Sequence, residues 1–382
     1  MLRAVVLGSR FGGLATLTWL RRTFPSQRLE ITVVDQWTEM VYRPGLVHAG
    51  MANPRQLERY RFSLLPLWRR LGARGIHDTV FTVDPSRRRV VLASYPEIAY
   101  DVLFVATGVD PGWEEIAGLS PHRGGICEMH LARHTANWLQ RWAGGTLLFA
   151  AGPLCLPQAG KTVPSVGCEC PLLEVTLLTD AWLRRRGLRA RTKLILATPA
   201  AAVGEEGGPK AQAYLARLLR QREVEVLTGA EFRRVAEDAV QIGERWVQAD
   251  AMVWIPPYAG SALARRSGLA DASGFIPVNG FGQHPDWPEV YAVGDIARTT
   301  GPKSGHAAMV QARVAVLHWA STVTHRPPPA PYRPLTLWAM ELGQGQGLLV
   351  VSDVFWGGRR EFFYAGRLPV ALKRLFNQAY CR

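Results

Sequence analysis

Five cysteines carry the most pointed chemistry in this sequence: Cys127, Cys155, Cys168, Cys170 and Cys381. Two of them lie one residue apart, within Cys168-Glu169-Cys170-Pro171-Leu172-Leu173-Glu174. That spacing is too tight for a zinc knuckle, and no second Cys/His pair stands at ligand spacing, so no metal site is expected. An odd count in a chain this long is not the disulfide framework of a small secreted domain. Thiol redox chemistry remains. The thiolate is the nucleophile and needs a lowered pKa. Cys168 precedes a helix expected to begin near Pro171, whose N-terminus favours an anion, and Lys161 and the overall positive charge add to that field. Glu174 is placed to relay a proton. On an extended strand, residues two apart point the same way, which makes Cys170 a candidate resolving thiol beside Cys168. Cys155 and Cys381 read as inert packed thiols.

The elements that must position these groups alternate between strand and helix. Residues 3–8 read as a buried strand, 13–23 as a helix and 30–35 as a second buried strand, a βαβ unit with parallel strands. Residues 88–93 and 100–107 look like further strands. The plan repeats with a strand at 145–152, helices at 171–186 and 208–221, and strands at 192–198, 224–228 and 250–255. A buried strand at 290–295 and a helix at 305–321 follow. The Pro-rich run 327–334 is a linker; strand-like residues 346–351 and 360–364 and an amphipathic tail complete the chain. This pattern predicts an α/β protein with two Rossmann-like domains of FAD/NAD(P) type. The first is discontinuous, 1–110 and 275–325; the second covers 111–274; a C-terminal β/amphipathic-helix region covers 326–382.

The first βα turn is Gly8-Ser9-Arg10-Phe11-Gly12-Gly13. Gly8 and Gly13 fit the first and last glycines of a dinucleotide fingerprint, for the tight turn and for close helix–strand packing. Arg10 replaces the middle glycine and brings a cation towards a pyrophosphate, beside the amides of the helix N-terminus. Asp35 ends the next strand and is placed to accept from a ribose hydroxyl. Two later strand ends, Thr107-Gly108 and Gly294-Asp295, resemble the flavin-binding motifs of the two-dinucleotide-binding-domain flavoproteins, and that resemblance implies FAD. Lys303 follows the second, where a lysine stabilises charge on a reduced flavin. The second repeat has the turn Ala151-Gly152-Pro153-Leu154-Cys155-Leu156 and no acid for a ribose, so no NAD(P)H is expected there.

Lys plus Arg number 45 and Asp plus Glu 31, a formal charge of +14. That suits a phosphate-bearing cofactor or an acidic membrane surface. No basic low-complexity arm or nucleic-acid motif accompanies it, so no nucleic acid is expected as a partner. The start, Met-Leu-Arg-Ala-Val-Val-Leu-Gly-Ser, runs straight into a strand without a signal-peptide pattern.

The segments Gly125-Ile126-Cys127-Glu128 and Cys168 to Glu174, with Arg43-Pro44, Pro256-Pro257-Tyr258, Gly274-Phe275-Ile276-Pro277 and Pro302-Lys303-Ser304-Gly305-His306, resemble those of the sulfide:quinone oxidoreductases. The resemblance runs from about residue 3 to about 358. It implies an FAD-dependent enzyme that oxidises sulfide, or a related sulfur compound, to cysteine-bound sulfur as a persulfide or polysulfide, and passes the electrons to a membrane quinone. It implies that Cys168 is the cysteine opposite the flavin, that Cys127 attaches to flavin or helps release sulfur, and that Arg43 and Pro44 are among the residues at the cofactor. The family's third cysteine falls in Thr336-Leu337-Trp338-Ala339-Met340-Glu341, where Ala339 stands instead, so the usual bridge to Cys168 is absent and Cys170 or Cys127 is the candidate substitute. Rival expectations are a type II NADH:quinone oxidoreductase, a flavocytochrome-type sulfide dehydrogenase subunit, and a non-enzymatic flavin-binding sulfur carrier. His306 is open between approaching quinone and capping its helix; His48 is equally open.

In the tail, Leu368, Leu372, Leu375, Phe376 and Ala379 share one helical face, flanked by Lys373, Arg374 and Arg382, with Phe355, Trp356, Phe362, Phe363 and Tyr364 just before. This reads as a monotopic foot on a lipid bilayer, cations on acidic headgroups, and predicts a peripheral protein of the cytoplasmic face. The alternatives are a helix packed on its own core and a contact in a homo-oligomer.

Overall fold

The computed structural model describes residues 1–157 and 163–381; the expected contributions of Lys161 and Arg382 lie outside the described residues. In chain order, the elements that matter here are β1 (Leu2–Leu7), α1 (Phe11–Thr23), β2 (Leu29–Asp35), β3 (Arg74–His77), β4 (Val102–Val105), α2 (Met129–Gln140), β5 (Gly145–Ala151), α3 (Cys170–Arg185), β6 (Thr192–Ala197), α4 (Pro209–Gln221), β7 (Val224–Leu227), β8 (Ala251–Ile255), β9 (Val290–Ala292), α5 (Gly305–Thr324), β10 (Thr336–Glu341), β11 (Gly347–Ser352), β12 (Glu361–Gly366) and α6 (Leu368–Tyr380). They form two units. The first holds residues 1–40, 63–110 and 259–334, and the second 41–62, 111–258 and 335–382.

The first unit is built on a parallel sheet of order β9-β4-β1-β2-β3. Its strands are near-continuous apolar runs because helices cover both faces of such sheets. Val5, Leu7, Val34, Leu103, Val105 and Val290 are buried in one core cluster. The register sets Leu7 beside Val34 and Val105, and Val105 beside Ala292. The carboxyl ends of β1, β2, β4 and β9 therefore share one edge of the sheet, where α/β proteins place their ligands.

The second unit has its own parallel sheet, β7-β6-β5-β8, and an antiparallel β10-β11-β12 sheet on which α6 packs. The α/β expectation with parallel sheets holds. The units differ from the expected boundaries in four places: 41–62 and 335–382 lie in the second unit, and 259–274 and 326–334 in the first. The cause is α3, a helix with twelve buried residues that gathers the short helical turn Val47–Met51 and β10 around itself.

Candidate functional site

In the first unit, the sheet edge carries the expected turn. Gly8 has φ +84°, a conformation open to glycine. A Cβ at Gly13 would stand 1.9 Å from the Gly8 carbonyl oxygen, so helix and strand meet this closely only without a side chain. Arg10 is the N-cap residue of α1 but does not cap it with its side chain; Phe11 and Gly12 open the helix. A Cβ at Gly108 (φ +75°) would meet nothing within 4 Å, which leaves open space above β4, beside exposed Thr107. Gly294 and half-buried Asp295 end β9 on the same edge. Small residues, open space and a helix N-terminus on one sheet edge fit a dinucleotide such as FAD.

Three details differ from expectation. Asp35 is engaged within the turn: its Oδ2 accepts from Ser9 N and Oγ, both at 2.7 Å, and its Oδ1 from Trp37 N at 2.9 Å. It holds the loop in shape, and its remaining lone pair is what a ribose would meet. Lys303 is buried, donates to the Ala297 carbonyl at 2.6 Å and lies 5.1 Å from the Phe275 ring centre. Burial lowers its pKa to about 8, partly opposed by Asp295. His306 is not the cap of α5; Ser304 is, its Oγ accepting from Ala307 N. Gly305 opens that helix, where a Cβ would meet the Phe11 ring at 2.9 Å.

The thiols belong to the second unit. Helix α3 starts at Cys170 itself, with Glu169 as N-cap in the helical region of backbone space, not the extended one. The extended-strand placement of Cys168 and Cys170 is therefore corrected: the chain has already turned into the helix between them, because Pro171 fits the first turn and Glu169 gains backbone donors there. Both cysteines are half-buried. Glu169 is 1% exposed, and its Oε2 accepts from Gly204 N (2.9 Å) and Glu205 N (3.1 Å). Glu206 is also buried, and one oxygen of each, Glu169 Oε1 and Glu206 Oε1, has no hydrogen-bond partner. Burial pushes the Glu169 carboxyl up to about 8 and Glu206 well above the usual carboxylate range, helped by Glu169 and Glu205. Burial first, then Glu174, raises the Cys170 thiol despite its place on the helix. It is held protonated, which weighs against a ready thiolate at this position.

Cys127 stands two residues before α2, next to its N-cap Glu128. Burial pushes its thiol up to about 12, opposed by Arg43, whose guanidinium is ion-paired with Glu128. Arg43 and Pro44, expected at the cofactor, thus lie in the second unit beside Cys127. The Tyr258 ring covers Gly167, where a Cβ would meet it at 2.4 Å, so an aromatic wall stands next to Cys168. Cys155 offers its Sγ to the Pro153 carbonyl at 3.9 Å; Cys381 follows α6.

Glu174 differs most from expectation. It is 2% exposed, is ion-paired with Lys373 of α6, and accepts Glu341 N at 2.7 Å. Lys373 was expected to flank an apolar face at the surface; it is 5% exposed. The apolar face is the outer one, with Pro369, Val370, Lys373 and Asn377 inward and Leu368, Leu372, Leu375 and Phe376 at 41–64% exposure. Burial raises the Glu174 carboxyl while Lys373 pulls it back. Buried His48 reaches Glu341 Oε1 through Nε2 at 3.2 Å, and its Nδ1 lies 2.9 Å from both Tyr60 Oη and the Gly45 carbonyl. Sequence reasoning missed Tyr60, Glu206, Glu341 and the inward Lys373. A charge in the otherwise apolar strand Thr336–Glu341 and an acid pair inside Gly204-Glu205-Glu206-Gly207-Gly208 were the available signals.

The pyridine nucleotide-disulphide oxidoreductase family matches residues 166–312. The mitochondrial sulfide:quinone oxidoreductase of Mus musculus is 27% identical over 333 residues, 82% of this chain and 69% of that one. That of Dictyostelium discoideum is 25% identical over 328 residues, with the same coverage. An NADH dehydrogenase-like protein of Mycobacterium tuberculosis is 29% identical over 308 residues, 78% of this chain and 73% of its own. Among solved structures, the sulfide:quinone oxidoreductase from the hyperthermophilic bacterium Aquifex aeolicus superimposes with a TM-score of 0.86 over 99% of this chain and 90% of that one, at 22% identity. That likeness establishes the fold.

Proposed function

Because the chain belongs to the sulfide:quinone oxidoreductase family of FAD-dependent oxidoreductases, we propose that it oxidises sulfide at its cysteines and passes the electrons to a membrane quinone. The observation that carries this reading is the Cys168–Cys170 pair at the start of α3, set among buried carboxyls. When bound, FAD supplies the two-electron oxidation of sulfur and hands the electrons to an acceptor. Gly8, Arg10, Phe11, Gly12 and Gly13 would hold its pyrophosphate, Asp35 its ribose side, and Thr107, Gly108, Gly294, Asp295, Lys303 and Gly305 the rest of the sheet edge.

The chain's own residues divide the remaining work. Cys168 would form an S–S bond with hydrosulfide to give a persulfide, with one proton lost and the two electrons taken by FAD when it is bound. Cys170, protonated and next to Glu169, Glu174 and Glu206, supplies a second thiol where the family's third cysteine is replaced by Ala339. Cys127, with Arg43 countering its negative charge, releases sulfur. Neutral carboxyls at Glu169 and Glu206 donate protons to leaving sulfur. The exposed apolar face of α6, with Phe362 and Tyr364 also exposed, rests on lipid, from which quinone enters. No described helix is long and apolar enough to cross a membrane, so contact through one face is the mode this reading requires.

The test is anaerobic bleaching of the bound flavin. Sulfide should bleach it and NADH should not. Cys168→Ala should end bleaching by sulfide and keep FAD bound. Bleaching by NADH alone moves the chain to NADH dehydrogenase chemistry, and bleaching by neither removes the enzymatic reading.

A further inference from the structure

Beneath α6 lies a set of polar groups that the chemistry of sulfur does not use. Tyr60, His48 and Glu341 are 2%, 4% and 6% exposed. At one end, exposed Arg59 donates to Tyr60 Oη at 2.6 Å. At the other, Glu341 Oε2 is 3.5 Å from Arg374 of α6, and the backbone of Glu341 is pinned by Glu174, which Lys373 holds from α6. Between these ends, His48 Nδ1 faces both a hydroxyl, Tyr60 Oη, and a carbonyl that can only accept, Gly45 O, each at 2.9 Å.

That double facing decides what the histidine can do. With its proton on Nε2, His48 donates to Glu341 and its Nδ1 lone pair accepts from the Tyr60 hydroxyl. With its proton on Nδ1, the ring donates to Gly45 O and Nε2 accepts from a protonated Glu341. The ring nitrogens keep partners in both tautomers, and the Nδ1–H form differs in leaving the Tyr60 hydroxyl proton without the Nδ1 acceptor. A histidine buried for structure alone needs only one.

We propose that Tyr60, His48 and Glu341 form a proton relay running from the Arg59 surface to the inner side of α6, where it supplies protons for reduction of a quinone. This rests on the quinone reading above. Reduction of a quinone to a quinol takes two electrons, which sulfide oxidation provides, and two protons. For one proton, Glu341 gives up its carboxyl proton towards the acceptor while His48 Nε2–H replaces it, Nδ1 takes the Tyr60 hydroxyl proton and solvent at Arg59 restores the hydroxyl; before the second proton moves, the ring returns from the Nδ1–H to the Nε2–H tautomer by losing the Nδ1 proton and taking one up at Nε2. Other groups bearing on the relay are Lys373, Arg374 and Glu174 around Glu341, and Tyr42 and Cys381 around Tyr60, with Tyr380 against Tyr42. Burial disfavours the Glu341 carboxylate, yet the hydrogen bond and charge of His48, with Arg374 and Lys373, keep it below the usual range. It therefore rests as the carboxylate and gives up quickly any proton that His48 passes to it.

The experiment uses the full-length protein loaded with FAD, reduced with dithionite without air and mixed with decylubiquinone between about pH 6 and 9. Glu341→Gln should slow reoxidation by about tenfold or more, flatten its pH profile and remove the slowing that wild type shows in heavy water. Glu341→Asp should restore the profile. Tyr60→Phe, which removes one hydroxyl, should slow the reaction in the same direction. Nitrogen NMR of histidine-labelled protein reads the ring directly: two tautomers in wild type, and the Nδ1–H form alone in Tyr60→Phe. Wild-type protein that the quinone does not reoxidise overturns the functional reading, and the relay with it. Normal reoxidation with Glu341→Gln at the wild-type rate and profile overturns the relay alone. So does a single His48 tautomer that Tyr60→Phe leaves unchanged, however slow the variants are.

Discussion

Glu169→Gln should make the protein more stable in alkaline solution than the natural chain. The folded protein pushes this carboxyl up to about 8 from the 4.5 of an open chain, so the native state holds a proton that the unfolded chain releases. The folded value is the raised one. The stabilisation is therefore complete below about pH 4.5 and is lost as the pH rises towards 8. The shift is about 8 − 4.5 = 3.5 units, and at about 1.4 kcal/mol per unit the loss is about 5 kcal/mol. Glutamine keeps an oxygen for Gly204 N and Glu205 N and carries no charge at any pH, so the variant should match wild type near pH 5 and exceed it near pH 8.5. With an unfolding entropy of about 2.1 cal/mol/K for each of 382 residues, about 0.8 kcal/mol/K in all, the gap corresponds to about 6 °C in melting temperature. Differential scanning calorimetry across this pH range measures it. Melting curves that stay parallel from pH 5 to about pH 9 would refute the reasoning, because Glu169 would then hold the same charge folded and unfolded.

Asp180, fully buried on α3, is bound by Arg184, Arg189 and Arg222 at 3.1, 2.8 and 2.8 Å. Asp180→Asn should cost about 3 kcal/mol by leaving the half-buried guanidiniums of Arg189 and Arg222 without their carboxylate, read by urea unfolding. Gly13→Ala sets a methyl against the Gly8 carbonyl, and the purified variant should lose its yellow colour while wild type keeps FAD. Leu372→Glu with Leu375→Glu should end co-sedimentation with anionic phospholipid vesicles and leave flavin content unchanged; vesicle binding that survives both would remove α6 from the lipid contact.

The first unit was legible because its information is local. The run Leu2–Leu7, the turn Gly8–Gly13 and the strand closing on Asp35 each declare themselves within a few residues, and the register then lines up Gly108 and Gly294 with no further information. The ribose role read for Asp35 overlooked Ser9, a neighbour in space that lies 26 residues away in the chain. The second unit depends on distant pairings. Periodicity found the two faces of α6 and could not say which is the inner one, since that is decided by Glu174, 199 residues earlier. His48 and Glu341 are likewise 293 residues apart, and neither has a local motif. The pair Cys168–Cys170 was found by spacing, but its backbone shape depended on where α3 begins, and helix starts are the least certain feature of a sequence pattern.

Helix α6 also has an unusual source of rotational alignment. Most surface helices are set about their own axis by an apolar stripe that must face inward. Here the larger apolar stripe faces out, and beside inward Pro369 and Val370 the angle is held by two polar side chains four residues apart: Lys373, paired with Glu174, and Asn377, which accepts from Tyr42 Oη at 2.9 Å. They act as two pegs in one row. A one-residue insertion before Leu368 would swing the row by about 100°, unseat both pegs and turn leucines into the protein while the lysine enters solvent. Exchanging one exposed leucine for another apolar residue would leave the angle untouched. The azimuth at which this helix presents itself to its surroundings is thus encoded in residues that never meet those surroundings.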